Sequence, residues 1–271
     1  MVKNEILSRM NLFLFDMDGT LYLGDRLFDF TKDLLRIIKE TGGKYLFITN
    51  NSSKSVDDYV KKLAKMGISA TRDDFMTSSQ ATAYYLRKYY DGLTLYVCGT
   101  ESLKSELRRA GFSVTEDLDQ VECIVMGFDT ELTFKKLHDV SYLLLTRKDI
   151  PYIATNPDLV CPTEFGSVPD CGSICAAIKN ATGRLPIVVG KPEPLMVELA
   201  MERMCASKEE TCVIGDRIYT DVKSGLAAGV TGILVLSGET TPEILEASVE
   251  KPHLVLDNAG EIYSELLKRK A

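Results

Sequence analysis

The chain has 271 residues, of which 45% are hydrophobic and 26% charged, the composition of a globular protein of about two domains with a sizeable core. A net charge of -7 argues against a protein built to grip nucleic acid, which needs an excess of Lys and Arg, but leaves room for a small phosphate ligand held by a few local groups. No apolar run reaches membrane-spanning length, and the N-terminus MVKNEILSRM lacks the apolar segment of a signal peptide, so no membrane partner and a cytoplasmic location are expected.

Taken in chain order, β-rich runs appear at residues 12–15, 45–49, 93–98, 124–127, 152–155, 187–189, 212–215, 232–236 and 254–256. Helical patterns lie between them. One is SVDDYVKKLAKMG, which places Val56, Val60, Leu63 and Met66 on one face and ends at Gly67. Others are TESLKSELRRAG, LTFKKLHDVSYLLLT, EPLMVELAMERM and TDVKSGLAAG. This alternation predicts an α/β fold with a parallel sheet covered by helices on both faces. The seven cysteines are odd in number and form no CxxC pair, which points to free thiols rather than a disulfide framework.

The first run, FLF, leads straight into Asp16, and Asp18, Gly19 and Thr20 follow. Carboxylates beside a core are costly unless something compensates them. Alone, an Asp-Gly pair after a strand is most simply a turn. Three further strands also end in polar clusters: Thr49-Asn50-Asn51, Gly190-Lys191 and Gly215-Asp216, the last followed by Asp221. Open parallel sheets bind ligands at the carboxyl ends of their strands, so these clusters are expected to converge. The stretch from about 80 to 180 supplies none of them and has its own strands and helices, so it is read as a second α/β unit inserted into the first.

Together Asp16, Asp18, Asp216 and Asp221 are hard oxygen donors of the kind that suit Mg²⁺. Lys191 supplies a compact positive charge for an anion, and Thr49, Asn50 and Asn51 supply hydroxyl, amide and backbone donors. Such a set fits phosphoryl transfer, in which one carboxylate acts as nucleophile and a second carries the proton. Gly19 would let the chain turn so that Asp18 points back at the site. Simpler roles are available for each part: Ser52 or Ser53 as the cap of the next helix, Lys191 as a surface residue, and Asp216 and Asp221 as helix N-terminal acids. In NPD, Asn156 and Asp158 are read as a turn at least as readily as a substrate contact. Tyr84, Tyr85, Tyr89 and Tyr90 are read as packing.

The ordered motifs DMDGT, ITNNSS, VVGKP and GDRIYTD resemble the haloacid dehalogenase superfamily of aspartate-nucleophile phosphatases, over essentially the whole chain. With TSSQATAYYL, ATNPD and VVGKPEPLM they look like its NagD-type, 4-nitrophenylphosphatase-like branch. The resemblance implies a Rossmann-like doubly wound core over 1–79 and 181–271, with an inserted α/β cap over 80–180 that sets substrate specificity. It implies Asp16 as nucleophile and Mg²⁺ ligand, and Asp18 as general acid/base with its backbone carbonyl on the metal. Thr49, Asn50 and Asn51 would hold phosphoryl oxygens, Lys191 would neutralise nucleophile and phosphate, and Asp216 would be a further metal ligand. Asp221 would support the metal's waters or orient Lys191. VPDCGSI departs from the glycine-rich turn usual at that point, which bears on specificity. The expected activity is Mg²⁺-dependent hydrolysis of small phosphorylated metabolites through an aspartyl-phosphate, with a homo-oligomer formed through the cap as a further expectation. The alternatives are a phosphotransferase or mutase using the same intermediate, or a phosphometabolite-binding regulatory protein.

Overall fold

The structure, a computed structural model, describes residues 3–163 and 165–270. Its strands are β1 (Leu12–Phe15), β2 (Tyr22–Leu23), β3 (Arg26–Leu27), β4 (Lys44–Thr49), β5 (Phe75–Thr77), β6 (Leu95–Cys98) and β7 (Cys123–Met126). They continue as β8 (Tyr152–Ala154), β9 (Val160–Thr163), β10 (Gly166–Pro169), β11 (Ile187–Val188), β12 (Thr211–Gly215), β13 (Thr231–Val235) and β14 (Leu254–Leu256). The chain divides into two compact units, one from Met1–Thr49, Val60–Met76 and Lys191–Ala271, the other from Asn50–Tyr59 and Thr77–Gly190.

The first unit is built on a sheet in the order β14-β13-β12-β1-β4-β5. β1 runs parallel to both β12 and β4, β12 to β13, and β13 to β14. All four residues of β1 and all five of β12 are buried. Uniform burial is what a parallel strand covered on both faces demands, and it explains why LFLF and TCVIG carry no apolar-polar alternation. From β1 the chain proceeds to β4 on one side, and it later returns to β12 on the other. The carboxyl ends beside β1 therefore sit at the point where strand order reverses, the position at which open α/β sheets hold ligands. The helix Thr31–Glu40 buries Leu34, Leu35, Ile37 and Ile38 at helical spacing.

The second unit has its own parallel sheet, β11-β8-β7-β6, and an antiparallel hairpin of β9 and β10. Its core gathers Tyr96, Ile124, Met126, Leu143, Tyr152 and Ile174 among others. The helix Cys171–Thr182 starts on the Asp170 side chain and ends on left-handed Gly183. An added Cβ at Gly172 would lie 2.1 Å from the Pro157 carbonyl oxygen, so the first turn of this helix packs directly on the NPD segment.

The units divide at different residues from the expected 80–180 insertion. Residues 187–188 pair with β8, and Ser52, fully buried, accepts from Phe128 N at 2.9 Å and from the Thr155 hydroxyl at 3.0 Å. The cap of the helix Val56–Lys65 differs from the sequence expectation. Ser55 Oγ accepts from Asp58 N at 3.2 Å while Asp58 accepts from Ser55 N at 3.0 Å. This reciprocal box falls on Ser55, not on Ser52 or Ser53. None of the seven cysteines forms a disulfide.

Candidate active site

β1 positions Asp16. Its backbone N–H still donates to Ile214 O at 2.8 Å, so the residue is fixed in the sheet while its side chain leaves the strand end. β12 delivers Asp216 from the neighbouring strand. Lys191 follows Gly190, and its buried ammonium lies 2.7 Å from Asp16 Oδ1 and 2.6 Å from Asp221 Oδ1. Asp221 comes from a wide helical turn over Ile218–Val222, an irregularity of the kind found at functional sites. Its other oxygen accepts from Arg217 N at 3.1 Å. An added Cβ at Gly215 would fall 2.3 Å from the Asp221 carboxyl carbon, so only glycine lets that acid approach the end of β12.

One carboxylate oxygen each from Asp16, Asp216 and Asp221 lie within 4.8 Å of one another. One lysine thus bridges Asp16 and Asp221, with Asp216 beside them. Asp216 is 4% exposed; its Oδ2 accepts from Glu239 N at 2.7 Å, and its Oδ1 has no partner among the described residues. Burial, then the charges of Asp16 and Asp221, push the Asp216 carboxyl up to about 7. Burial likewise raises Asp221, and Asp16 adds to it, against the opposing effect of Lys191. Burial alone would lower the Lys191 ammonium, but Asp16 and Asp221 outweigh it and raise it above its ordinary range, so the lysine is charged. An all-oxygen set with surplus negative charge and one unpartnered oxygen fits a hard divalent cation.

The other candidates fall differently. Thr49 closes β4, the strand paired with β1. Asn50 donates its amide to Asp158 Oδ2 at 2.9 Å, and Asn51 Oδ1 accepts from Ser53 N at 2.9 Å and the Ser53 hydroxyl at 2.8 Å. The Asp18 side chain is exposed, accepts from Gly24 N at 3.2 Å and lies outside the three-acid group. Gly19 has φ +79, and an added Cβ there would stand 2.4 Å from Asp216 Oδ2. The glycine therefore makes room for Asp216 as well as for a turn. Asp158, read as a turn residue or a substrate contact, also accepts from Asn156 at 3.2 Å.

The segment Ser237-Gly238-Glu239-Thr240 is not among the strand-end clusters expected from the sequence. It follows β13, so the strand-end rule that found the other clusters also applies to it.

Family models for haloacid dehalogenase-like hydrolases match residues 13–113 and 188–262. An acid sugar phosphatase of Staphylococcus haemolyticus is 33% identical over 94% of this chain and 96% of its own. Among solved structures, a 4-nitrophenylphosphatase of Thermotoga maritima has 43% identity and a TM-score of 0.90 over 96% of this chain and 98% of its own. NagD of E. coli has 30% identity and a TM-score of 0.85 over 93% and 98%. Strand-end acids and lysine, reversed strand order and full-length likeness agree: this chain belongs to the haloacid dehalogenase-like hydrolases, as a phosphatase of their NagD-type branch.

Proposed function

We propose that this phosphatase hydrolyses small phosphate monoesters, sugar phosphates among them, through an aspartyl-phosphate on Asp16, with Mg²⁺ as its metal. The observation that carries the reading is the buried Lys191 held between Asp16 and Asp221 with Asp216 beside them. Lysine aims the nucleophile, and its charge lowers the repulsion between an incoming phosphate and the acids. Asp16, Asp216 and the Asp18 backbone carbonyl would hold the cation, with Asp221 as an additional candidate. Bound there, Mg²⁺ supplies charge neutralisation for the phosphoryl oxygens.

In the first half-reaction an Asp16 oxygen bonds to phosphorus, the ester P–O bond breaks, and Asp18 protonates the departing oxygen. In the second, water gives a proton to Asp18 and its oxygen attacks phosphorus. The Asp16–phosphorus bond then breaks, releasing inorganic phosphate and restoring the carboxylate. Thr49, Asn50 and Asn51 are assigned to the phosphoryl oxygens. The second unit, expected over 80–180, is assigned as the cap that selects the ester. No helix among the described residues is long and apolar enough to cross a membrane.

The test is Asp16→Asn, assayed with 4-nitrophenyl phosphate and Mg²⁺. Activity is expected to fall by at least about 10³-fold, and a brief pulse of labelled ester followed by acid quench should leave phosphate on the parent protein but not on the variant. Turnover near the parent level in Asp16→Asn would end the reading.

A further inference from the structure

The segment Ser237–Thr240 is fastened to the strand end that carries Asp216 at several points. Glu239 N donates to Asp216 Oδ2 at 2.7 Å. Thr240 N donates to the Asp216 carbonyl at 3.1 Å, and Ile218 N donates to the buried Thr240 hydroxyl at 3.2 Å. The Ser237 hydroxyl donates to Gly19 O at 2.7 Å. Arg217 Nε pairs with Glu239 Oε2 at 2.8 Å, and the Tyr219 hydroxyl donates to the other Glu239 oxygen. Glu239 is thus pinned by its side chain while its backbone N–H faces the acid.

The packing is equally tight. An added Cβ at Gly238 would stand 2.0 Å from Asp216 Oδ2 and 2.5 Å from its carboxyl carbon. Gly19 presses on the same carboxylate from its own side, where an added Cβ would stand 2.4 Å from Oδ2. Oδ2 is therefore fixed by one hydrogen bond and two side-chain-free contacts. Oδ1 is the oxygen left buried and without a partner among the described residues.

We infer that Ser237–Thr240 is a clamp that sets the orientation of Asp216 and reserves its Oδ1 for the cation, with Gly238 and Thr240 as positioning residues for metal binding. The inference rests on the proposed reading of Asp216 as a metal ligand. Its physical basis is general: partners that hydrogen-bond a ligating carboxylate fix its direction, and losing them weakens metal affinity by about 10–100-fold.

The experiment is calorimetric titration of the EDTA-treated, dialysed protein with Mg²⁺ alone, on the parent, Gly238→Ala, Thr240→Val, Thr240→Ser and Asp216→Asn. Gly238→Ala is expected to weaken Mg²⁺ binding by at least about 10-fold, because Asp216 must rotate away from the new methyl group. Thr240→Val orphans Ile218 N and should weaken binding several-fold, whereas Thr240→Ser keeps the hydroxyl and should restore it. A merely structural segment would lower the melting temperature in EDTA and leave the metal Kd where it was. If Gly238→Ala does not fold, the Val and Ser pair at Thr240 decides. Parental Kd in the folded clamp variants beside lost binding in Asp216→Asn overturns the clamp and leaves the metal reading standing. Parental Kd in Asp216→Asn overturns both.

Discussion

In the second unit the buried Asp129 has each oxygen engaged. One accepts from Glu131 N at 2.9 Å and the other from Lys136 Nζ at 2.7 Å, and that ammonium also donates to Gly99 O at 3.0 Å and Glu131 O at 3.1 Å. In the first unit Lys191 pairs with Asp16 and Asp221, while Asp216 lies beside them with its Oδ1 lacking a partner among the described residues. Both arrangements are acids near a lysine. The first is closed, with charge and hydrogen-bonding capacity matched, as a structural ion pair requires. The second carries surplus negative charge that only an added cation or a proton can relieve. Burial does not separate the two; the count of donors does.

The largest expected effect tests that count directly. Lys191→Met removes the shared cation and should cut turnover by about 10²–10³-fold. Lys136→Met leaves Asp129 buried and uncompensated, a loss of about 3–5 kcal/mol, while turnover measured below its melting point stays near the parent value. Measured against the parent at the same Mg²⁺ concentration, saturating Mg²⁺ should narrow the melting-temperature deficit of Lys191→Met and leave that of Lys136→Met unchanged. Equal recovery in both, by thermal denaturation with and without Mg²⁺, would mean that the first cluster is no more a metal site than the second.

The next effect follows from the raised Asp216 carboxyl. An unfolded Asp ionises near pH 3.9, whereas folded Asp216 holds its proton to about 7. Between those values the folded state binds more protons than the unfolded, so its stability falls as pH rises and the penalty is complete above about 7. Mg²⁺ needs the deprotonated ligand. The metal-free protein should therefore gain more melting temperature from saturating Mg²⁺ at pH 8 than at pH 5. The same gain at both would show that Asp216 is not the group the cation relieves.

The parts of the candidate site at Asp16, Thr49 and Asp216 were legible because β1, β4 and β12, which lead into them, are buried on both faces. LFLF, TCVIG and the apolar run of β4 stand out as unbroken apolar stretches, and a polar residue ending such a stretch is conspicuous. The exposed hairpin of β9 and β10 has no core face, and its exposed residues leave no pattern to read. β5 is only three residues long and runs directly into the helix Ser78–Tyr89, which hides it. The clamp escaped for another reason: its central contact is the Glu239 backbone N–H, a group every residue but proline possesses, so nothing in the residue type announces it. Helix caps show the same limit. Ser52, Ser53 and Ser55 are chemically alike, and only Asp58, placed to answer Ser55, distinguishes them.

The smallest effect completes the contrast between the units. Asp139 is buried, and burial pushes its carboxyl up. Hydrogen bonds from Lys135, Tyr96 and His138 outweigh that and hold it below the ordinary range. The Tyr96 hydroxyl donates to Asp139 Oδ2 at 2.9 Å. A depressed folded value stabilises the protein above the unfolded pKa, and the gain is lost as pH falls through the folded value. Asp139 and Asp216 therefore respond to pH with opposite sign. Tyr96→Phe removes one donor to a charged acceptor while Lys135 and His138 remain, so the cost at pH 7 should be about 1.5 kcal/mol. The cost should shrink below pH 4 as the carboxylate is neutralised, and metal affinity should stay unchanged. Urea denaturation at pH 7 and pH 3.5 measures it. A cost independent of pH would mean that the hydroxyl stabilises by packing alone, and the second unit's acids would then be less tightly closed than their geometry indicates.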